Sequence, residues 1–348
     1  MIPNELPLRL ILDGAALVGN WRWIARCSRA PAGAAVKADG YGLGAVEVAR
    51  RLGDAGCRDF FVATWAEAEA LGALAQGAGL SVLHGVREED MAAALDGSAR
   101  PVLNSAAMVG RWKAAAPGRP CDVMVDTGMN RLGLTVEEAC SGMLDGLEID
   151  ILMSHLACAD EVGHRLNEQQ LGRFADVADR VRARRRSLAN SAGACMGVDY
   201  GFDLVRPGLA LYGGIPRGEA VGHVMPVARI EAQLLQLREL SAGDSVGYGA
   251  TFTAERPMRI AILNIGYADG YLRAFAGHGQ ARFDGVPCPI VGRVSMDLIA
   301  VDIGTMAAAE GDWVEVDYRL DQAARQTGLS QYELLTGLGS RYQRRWID

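Results

Sequence analysis

Lysine is scarce in this 348-residue chain: of 35 basic residues, only Lys37 and Lys113 are lysines and the rest are arginines. Arginine stays protonated and forms no imine, so any amine chemistry falls to one of these two. Lys113 stands beside Arg111 in GRWKAAAPGRP, at a helix end, and reads as a surface lysine. Lys37 stands in AAVKADGYGLGA (34–45), where an apolar strand predicted over 34–38 runs into Gly40, Gly42 and Gly44. Burying an amine there is costly unless its pKa falls or it bonds covalently, as imine-forming lysines do. A lysine whose amine reaches past the strand's end into water fits the same residues.

An amine of that kind needs a rigid mount. From about residue 32 to 215, short apolar runs alternate with amphipathic helical stretches such as 44–56, 65–76 and 167–186. The strand candidates are AAVKA (34–38), DFFVAT (59–64), LSVLHG (80–85), RPVLN (100–104), CDVMVD (121–126), DILMSHL (150–156), SLANSA (187–192) and LVRPGLALYG (204–213). Strands separated by helices imply a parallel sheet, and eight such units favour a (β/α)8 barrel, whose functional groups gather at the strands' carboxyl ends. After Pro216 the pattern turns to strand runs, PIVGRVSMDLIAVDI (289–303) reading as one of them, broken by Gly, Asp and Pro and followed by a short helical tail. The expected organisation is an α/β barrel over 1–220, its first residues free to join the second part, and a mostly β domain over 221–348.

Composition excludes several other classes. The net charge of −7 argues against a nucleic-acid protein, which needs a basic surface to meet phosphates. The longest charge-free run, 70–86, holds Gln76, Ser81 and His84 and falls short of the ~20 apolar residues of a membrane span. Glu5, Arg9 and Asp13 interrupt the amino terminus where a signal peptide keeps an apolar stretch, so a cytoplasmic protein is expected. Seven cysteines without a C-x-x-C pair, and five histidines without metal-ligand spacing, point to free thiols and no metal site. The arginines at 180, 182, 184, 185 and 186 end a predicted helix and read as a solvated face.

The segment KADGYGLG (37–44) resembles the signature around the pyridoxal phosphate (PLP) lysine of alanine racemases. Further segments match that family in order: DTGMNRLG (126–133), SHLACADE (154–161), NSAG (190–193), VRPGLALYG (205–213), VGYGATF (246–252), IGYADG (265–270), GRVSMD (292–297) and YELL (332–335). Several are weak singly, but in this order they are highly specific across nearly the whole chain. The resemblance implies a PLP-binding barrel followed by a β domain, in a homodimer whose β domains complete each other's barrel sites. It also implies interconversion of L- and D-alanine, either to feed peptidoglycan precursors with the D-isomer or for alanine catabolism.

By the same resemblance Lys37 holds PLP and acts as one base. Tyr248 is the second base on the opposite face of the α-carbon, a phenol suited to the task once its pKa of about 10 is lowered by neighbours. Arg206 would face the pyridine nitrogen and keep it unprotonated. His155 would link Tyr248 to Arg206, and Arg131 would lie near the coenzyme's phenolic oxygen and the substrate carboxylate. The phosphate would be held by Tyr41, Ser191, the N–H groups of Gly208 and Leu209, and Tyr332. From the partner subunit, Met296 and Asp297 would line a small pocket with Tyr267 near its entrance. On residue type alone these are also a strand tyrosine, a satisfied histidine, a snorkelled arginine and a core methionine. There is one departure: where many members carry a carbamate-forming lysine that helps position the arginine of the D-T-G-M segment, this chain has Met124.

Two other readings belong beside this one. A racemase of the same fold for serine or a broader set of amino acids shares the motifs. A non-catalytic PLP-binding barrel would stop at the barrel and lack the domain carrying Tyr248. The fold-related basic amino-acid decarboxylases carry an H-x-G-S signature that is absent here.

Overall fold

The run DFFV is buried at every position, as expected for a parallel strand covered on both faces. It is one of seven parallel strands in the computed structural model, which describes residues 5–72 and 77–348; the end of the helix predicted over 65–76 and the first four residues lie outside them. The described residues divide into two units, Ala16–Met225 and a second that joins the amino-terminal segment through Ala15 to Pro226–Asp348.

In Ala16–Met225 the strands Ala34–Ala35, Asp59–Val62, Gly79–Val82, Arg100–Leu103, Pro120–Met124, Glu148–Met153 and Arg185–Ser187 pair in sequence order. The expected eighth strand over 204–213 is corrected to an irregular stave. Arg206 N–H donates to the Ala189 carbonyl on one side, while Gly33 and Ala35 N–H donate to Val205 and Pro207 carbonyls on the other, each at 2.9 Å. Pro207 has no N–H to extend a ladder, and Leu209–Tyr212 winds into a 3-10 helix. The circle still closes, giving the barrel. Its helices are capped from the sequence: Thr64 and Glu67 form a reciprocal capping box on Trp65–Leu71, and Ser105 caps Ala106–Ala115.

The amino-terminal end of this barrel is ionic. Arg185 holds Asp59 with two 2.8 Å bonds and Asp150 with a third, and Arg100 reaches Asp122 at 3.2 Å. Ser81 donates to Asp122 at 2.6 Å. This corrects the reading of the arginine run as wholly solvated: Arg185 opens a strand and points to buried carboxylates, because a charge at that end of the barrel survives only when paired.

The second unit is an eight-stranded sheet in the order Met258–Leu263, Ile299–Asp302, Val286–Val291, Gln280–Phe283, Trp313–Val316, Ala228–Leu240, Leu8–Asp13, Gln343–Ile347. Met258–Leu263 also pairs with the long strand Ala228–Leu240. Leu8, Leu10 and Leu12 are almost wholly buried on one face of their strand, and Ile11 is buried on the other. Two sequence expectations change. The tail ends in a strand, Gln343–Ile347, parallel to Leu8–Asp13, after the helices Leu320–Thr327 and Gln331–Thr336. The run predicted as one strand around GRVSMD is two antiparallel strands, Val286–Val291 and Ile299–Asp302, with that motif in the loop between them. Among the described residues no helix is long and apolar enough to cross a membrane.

Candidate active site

Lys37 does not lie inside a strand, as predicted, but just beyond one: Ala34–Ala35 ends and Lys37 opens the turn Lys37–Tyr41. That turn is left-handed, with φ of 53° at Ala38, 52° at Asp39, 62° at Gly40 and 56° at Tyr41. Left-handed geometry costs roughly 1–2 kcal/mol per non-glycine residue, so the surroundings must hold it. They do. Ala38 N–H donates to Glu67 Oε1 at 2.8 Å, and Ala45 N–H donates to Asp39 Oδ1 at 2.9 Å. The other Glu67 oxygen accepts from Ala63 N–H at 2.6 Å, so one capping residue serves both its helix and the lysine turn. Lys37 Nζ stands 6.0 Å from the centre of the Tyr41 ring.

Tyr41 is stacked on Tyr212 with centroids 4.6 Å apart, and Tyr212 donates to the Ala35 carbonyl at 2.8 Å. The Tyr41 hydroxyl is aimed at Gly208, where a Cβ would lie 2.0 Å from it. Gly208 and Ala210 N–H converge on Ser191 Oγ at 2.9 and 3.2 Å. Tyr41, Ser191 and Gly208 therefore form one cluster of neutral donors, with Leu209 next in the chain. Ala210 was not singled out in the sequence; its donor is visible only once the 3-10 turn is formed.

Arg206 is buried and donates to Ser187 Oγ and to the Ser154 carbonyl. Burial pulls its guanidinium down to about 10, partly offset by the Asp122 carboxylate, and it remains a cation at neutral pH. His155 follows the strand Glu148–Met153, and its imidazole is driven down to about 3 by burial and then by the charges of Arg206, Arg131 and Lys37. The structure thus gathers Lys37, Arg131, His155 and Arg206 at the carboxyl end of the barrel strands, with His155 neutral.

This has a stability consequence. The folded histidine binds its proton less tightly than the unfolded one, whose pKa is about 6.5. Its contribution is present above that value and is lost as pH falls toward 3. Unfolding free energies from urea titrations at pH 7 and pH 5 should fall less in His155→Gln than in the wild type, by up to ~1.4 kcal/mol per pH unit. Equal losses in the two proteins would contradict a neutral His155.

Met124 is buried, with its side chain close behind Gly133. In place of a modified lysine, the Arg131 loop is tied by its backbone: Asp126 accepts from the N–H groups of Gly128, Met129 and Arg131 at 2.8, 2.9 and 2.9 Å. Despite burial, these backbone donors hold the Asp126 carboxyl below its usual range. Gln170 braces the same region and was missed in the sequence. Its Nε2 donates to Thr127 Oγ1 and the His155 carbonyl at 3.2 and 2.9 Å, and its Oε1 accepts from Ala157 N–H at 2.9 Å. A signal existed: Asn167 and Gln170 share a helical face with Phe174 and Val177, so polar groups occupy core positions.

The other residues singled out in the sequence belong to the second unit. Tyr248 opens a 3-10 turn beside the two-residue strands Ser245–Val246 and Phe252–Thr253, between Gly247 and Gly249, both at φ 72°. It is 73% exposed. Tyr267 lies in the turn Tyr267–Asp269, Met296 and Asp297 in the loop before Ile299–Asp302, and Tyr332 in the helix Gln331–Thr336. Among the described residues no group of three or more His, Cys, Asp or Glu side chains is placed to hold a metal ion.

The barrel end suits pyridoxal phosphate. It offers one primary amine, a cradle of neutral donors kept open by a glycine where a Cβ would strike Tyr41, and a buried cation whose hydrogen-bond acceptors are neutral oxygens. Sequence and structure comparisons agree. The family models for the N-terminal and C-terminal domains of alanine racemase match residues 12–216 and 227–346. The alanine racemase of Methylobacterium nodulans is 41% identical, covering 98% of this chain and 96% of its own length. The biosynthetic alanine racemase of Agrobacterium fabrum is 40% identical over 99% of this chain and 95% of its own. The crystal structure of alanine racemase from Bartonella henselae with covalently bound pyridoxal phosphate superposes with a TM-score of 0.91 at 36% identity, covering 99% of this chain and 100% of that one. With matches spanning both units and a barrel end chemically suited to the coenzyme, the chain belongs to the alanine racemase family, isomerases that depend on pyridoxal phosphate.

Proposed function

We propose that this chain interconverts L- and D-alanine as a homodimer, with Lys37 as the coenzyme's anchor and one base and Tyr248 of the second copy as the other. The observation that carries the reading is the placement of Lys37, one of only two lysines, at the barrel mouth, where its charge acts on His155 together with those of Arg131 and Arg206. Pyridoxal phosphate supplies an electron sink that makes the substrate's α-proton removable.

The protein's own residues do the rest. Tyr41, Ser191, Gly208 and Leu209 bind the phosphate through neutral donors, with Tyr332 as a further hydroxyl. With the coenzyme bound, Arg206 would turn its positive charge toward the ring nitrogen and disfavour a proton there, which would restrain electron withdrawal and favour return of the proton over side reactions. Arg131 orients the substrate carboxylate. His155, neutral at working pH, relays a hydrogen bond between Arg206 and the phenol of Tyr248. Lys37 and Tyr248 hold and deliver protons on opposite faces of the α-carbon, which is what inversion requires.

Exposure supports the dimer. Tyr248 and Met296 are 73% and 53% exposed, large side chains that a second copy would cover. Met296, Asp297 and Tyr267 would then wall the partner's pocket and favour a methyl side chain. We place the enzyme in the cytoplasm, where D-alanine enters peptidoglycan precursors, and with small amino acids rather than nucleic acid as its ligands. Chiral analysis after incubation of the holoenzyme with L-alanine or L-serine tests the substrate. D-alanine should form at least about tenfold faster than D-serine, since one extra polar atom in a small pocket discriminates on that scale. A preference for serine would replace this reading by a serine racemase, and turnover of neither by a binding protein.

A further inference from the structure

The pocket-wall residues of the second unit come from separate stretches of chain, and one side chain ties those stretches together. Arg341 donates from Nε and Nη2 to Asp269 Oδ1 and Oδ2 at 2.6 and 2.7 Å, and from Nη1 to Asp297 Oδ1 at 2.6 Å. Asp269 is 1% exposed, and its Oδ2 also accepts from Gly266 N–H at 3.0 Å. Its carbonyl accepts from Tyr342 Oη at 2.9 Å.

The two loops meet edge to edge beneath this clamp. Tyr267 N–H donates to the Ser295 carbonyl and Ala268 N–H to the Met296 carbonyl, both at 3.0 Å. A Cβ at Gly266 would lie 2.3 Å from the Met296 oxygen, so only glycine allows this approach. Behind them a Cβ at Gly270 would lie 2.6 Å from the Gly337 carbonyl, which brings in the segment that leads to Arg341. The backbone bonds seat the loops against each other. Arg341 adds what they lack, a fixed orientation for the Asp297 side chain. A guanidinium can do this because its planar fork grips one carboxylate with two donors and keeps a third for the other, whereas an ammonium is a point charge.

We infer that Arg341 is a positioning residue for the substrate pocket, setting Asp297 and, through that loop, Met296 and Tyr267 by anchoring them to the buried Asp269 carboxylate. The inference rests on the proposed reading that these three residues wall the alanine pocket of a second copy. It predicts a particular signature. Its side chain donates to Asp269 and Asp297, so releasing it loosens the wall and weakens substrate binding while both proposed bases stay in the chain.

The test uses the PLP-loaded dimers of wild type, Arg341→Lys and Arg341→Ala, with exposed Arg325→Ala as a control, measuring kcat and KM for L-alanine and the L-alanine to L-serine preference. Arg341→Lys should raise KM for alanine roughly tenfold, keep kcat within about threefold and lower the preference for alanine. Arg341→Ala, which leaves Asp269 buried without its partner, should show a larger rise in KM. If that variant does not fold, the lysine variant, which keeps a charge beside Asp269, decides. KM and preference within about twofold of wild type in folded Arg341→Lys, or a fall in kcat at unchanged KM, would overturn the inference. Wild-type turnover reports separately on the underlying reading: a wild type inactive on alanine sinks the proposed function. An active wild type with an unaltered Arg341→Lys sinks only the clamp.

Discussion

Lys37→Ala is expected to abolish racemisation, lowering kcat by at least ~10⁴-fold, and to eliminate the visible absorbance of lysine-bound coenzyme. Two losses combine. The variant has no amine at the barrel mouth to bond the aldehyde, and it has lost the base on one face of the α-carbon, a contribution of about 10²–10⁴-fold by itself. Nothing nearby can substitute: the surrounding cations are arginines, and Lys113 lies in the helix Ala106–Ala115. Borohydride reduction of the wild-type holoenzyme followed by peptide mass mapping should place the label on the peptide containing Lys37. A label on Lys113, or a coenzyme band and turnover that survive in the variant, would remove the foundation of the proposed function.

Tyr248→Phe keeps the ring and deletes only the phenolic hydroxyl. Tyr248 is largely exposed on its turn, so folding stability should change by no more than ~0.5 kcal/mol. Turnover should nonetheless fall by about 10²–10⁴-fold while the coenzyme band remains. The sharper measurement is hydrogen exchange in heavy water. With one base left, the variant should exchange the α-proton of one enantiomer of alanine and leave the other untouched. Exchange from both enantiomers, or normal racemisation, would show that Tyr248 is not a base. Uniform loss of exchange with loss of bound coenzyme would assign it a structural role instead.

Much of the architecture was legible because it rests on local periodicities. Short apolar runs such as the FFV of DFFV announce strands covered on both faces, and Thr64 with Glu67 marks a helix start from four residues alone. The misread elements are those decided by partners far along the chain. The last residues, QRRWI, alternate too weakly to declare a strand, and they become one by pairing with Leu8–Asp13. Arg185 looks like one of a solvated run until the barrel brings Asp59 and Asp150 to it. Lys37 was expected within its strand, but the glycine-rich segment carries the backbone into a left-handed turn one residue earlier, held by Glu67 from a later helix start.

By itself the sequence determined the chemical inventory: one candidate imine-forming lysine, a set of ordered motifs, an acidic balance, and Met124 where the family resemblance leads to a modifiable lysine. Those are matters of residue type and spacing, and folding does not alter them. Only the tertiary structure decided how the inventory is held. Asp126 and Gln170 restrain the Arg131 loop, Asp269 and Arg341 join two loops of the second unit, and burial with three neighbouring cations keeps His155 neutral. Each of these depends on distances between atoms remote in the chain, and electrostatic and hydrogen-bond energies fall away within a few ångströms, so no reading of adjacent residues could have supplied them.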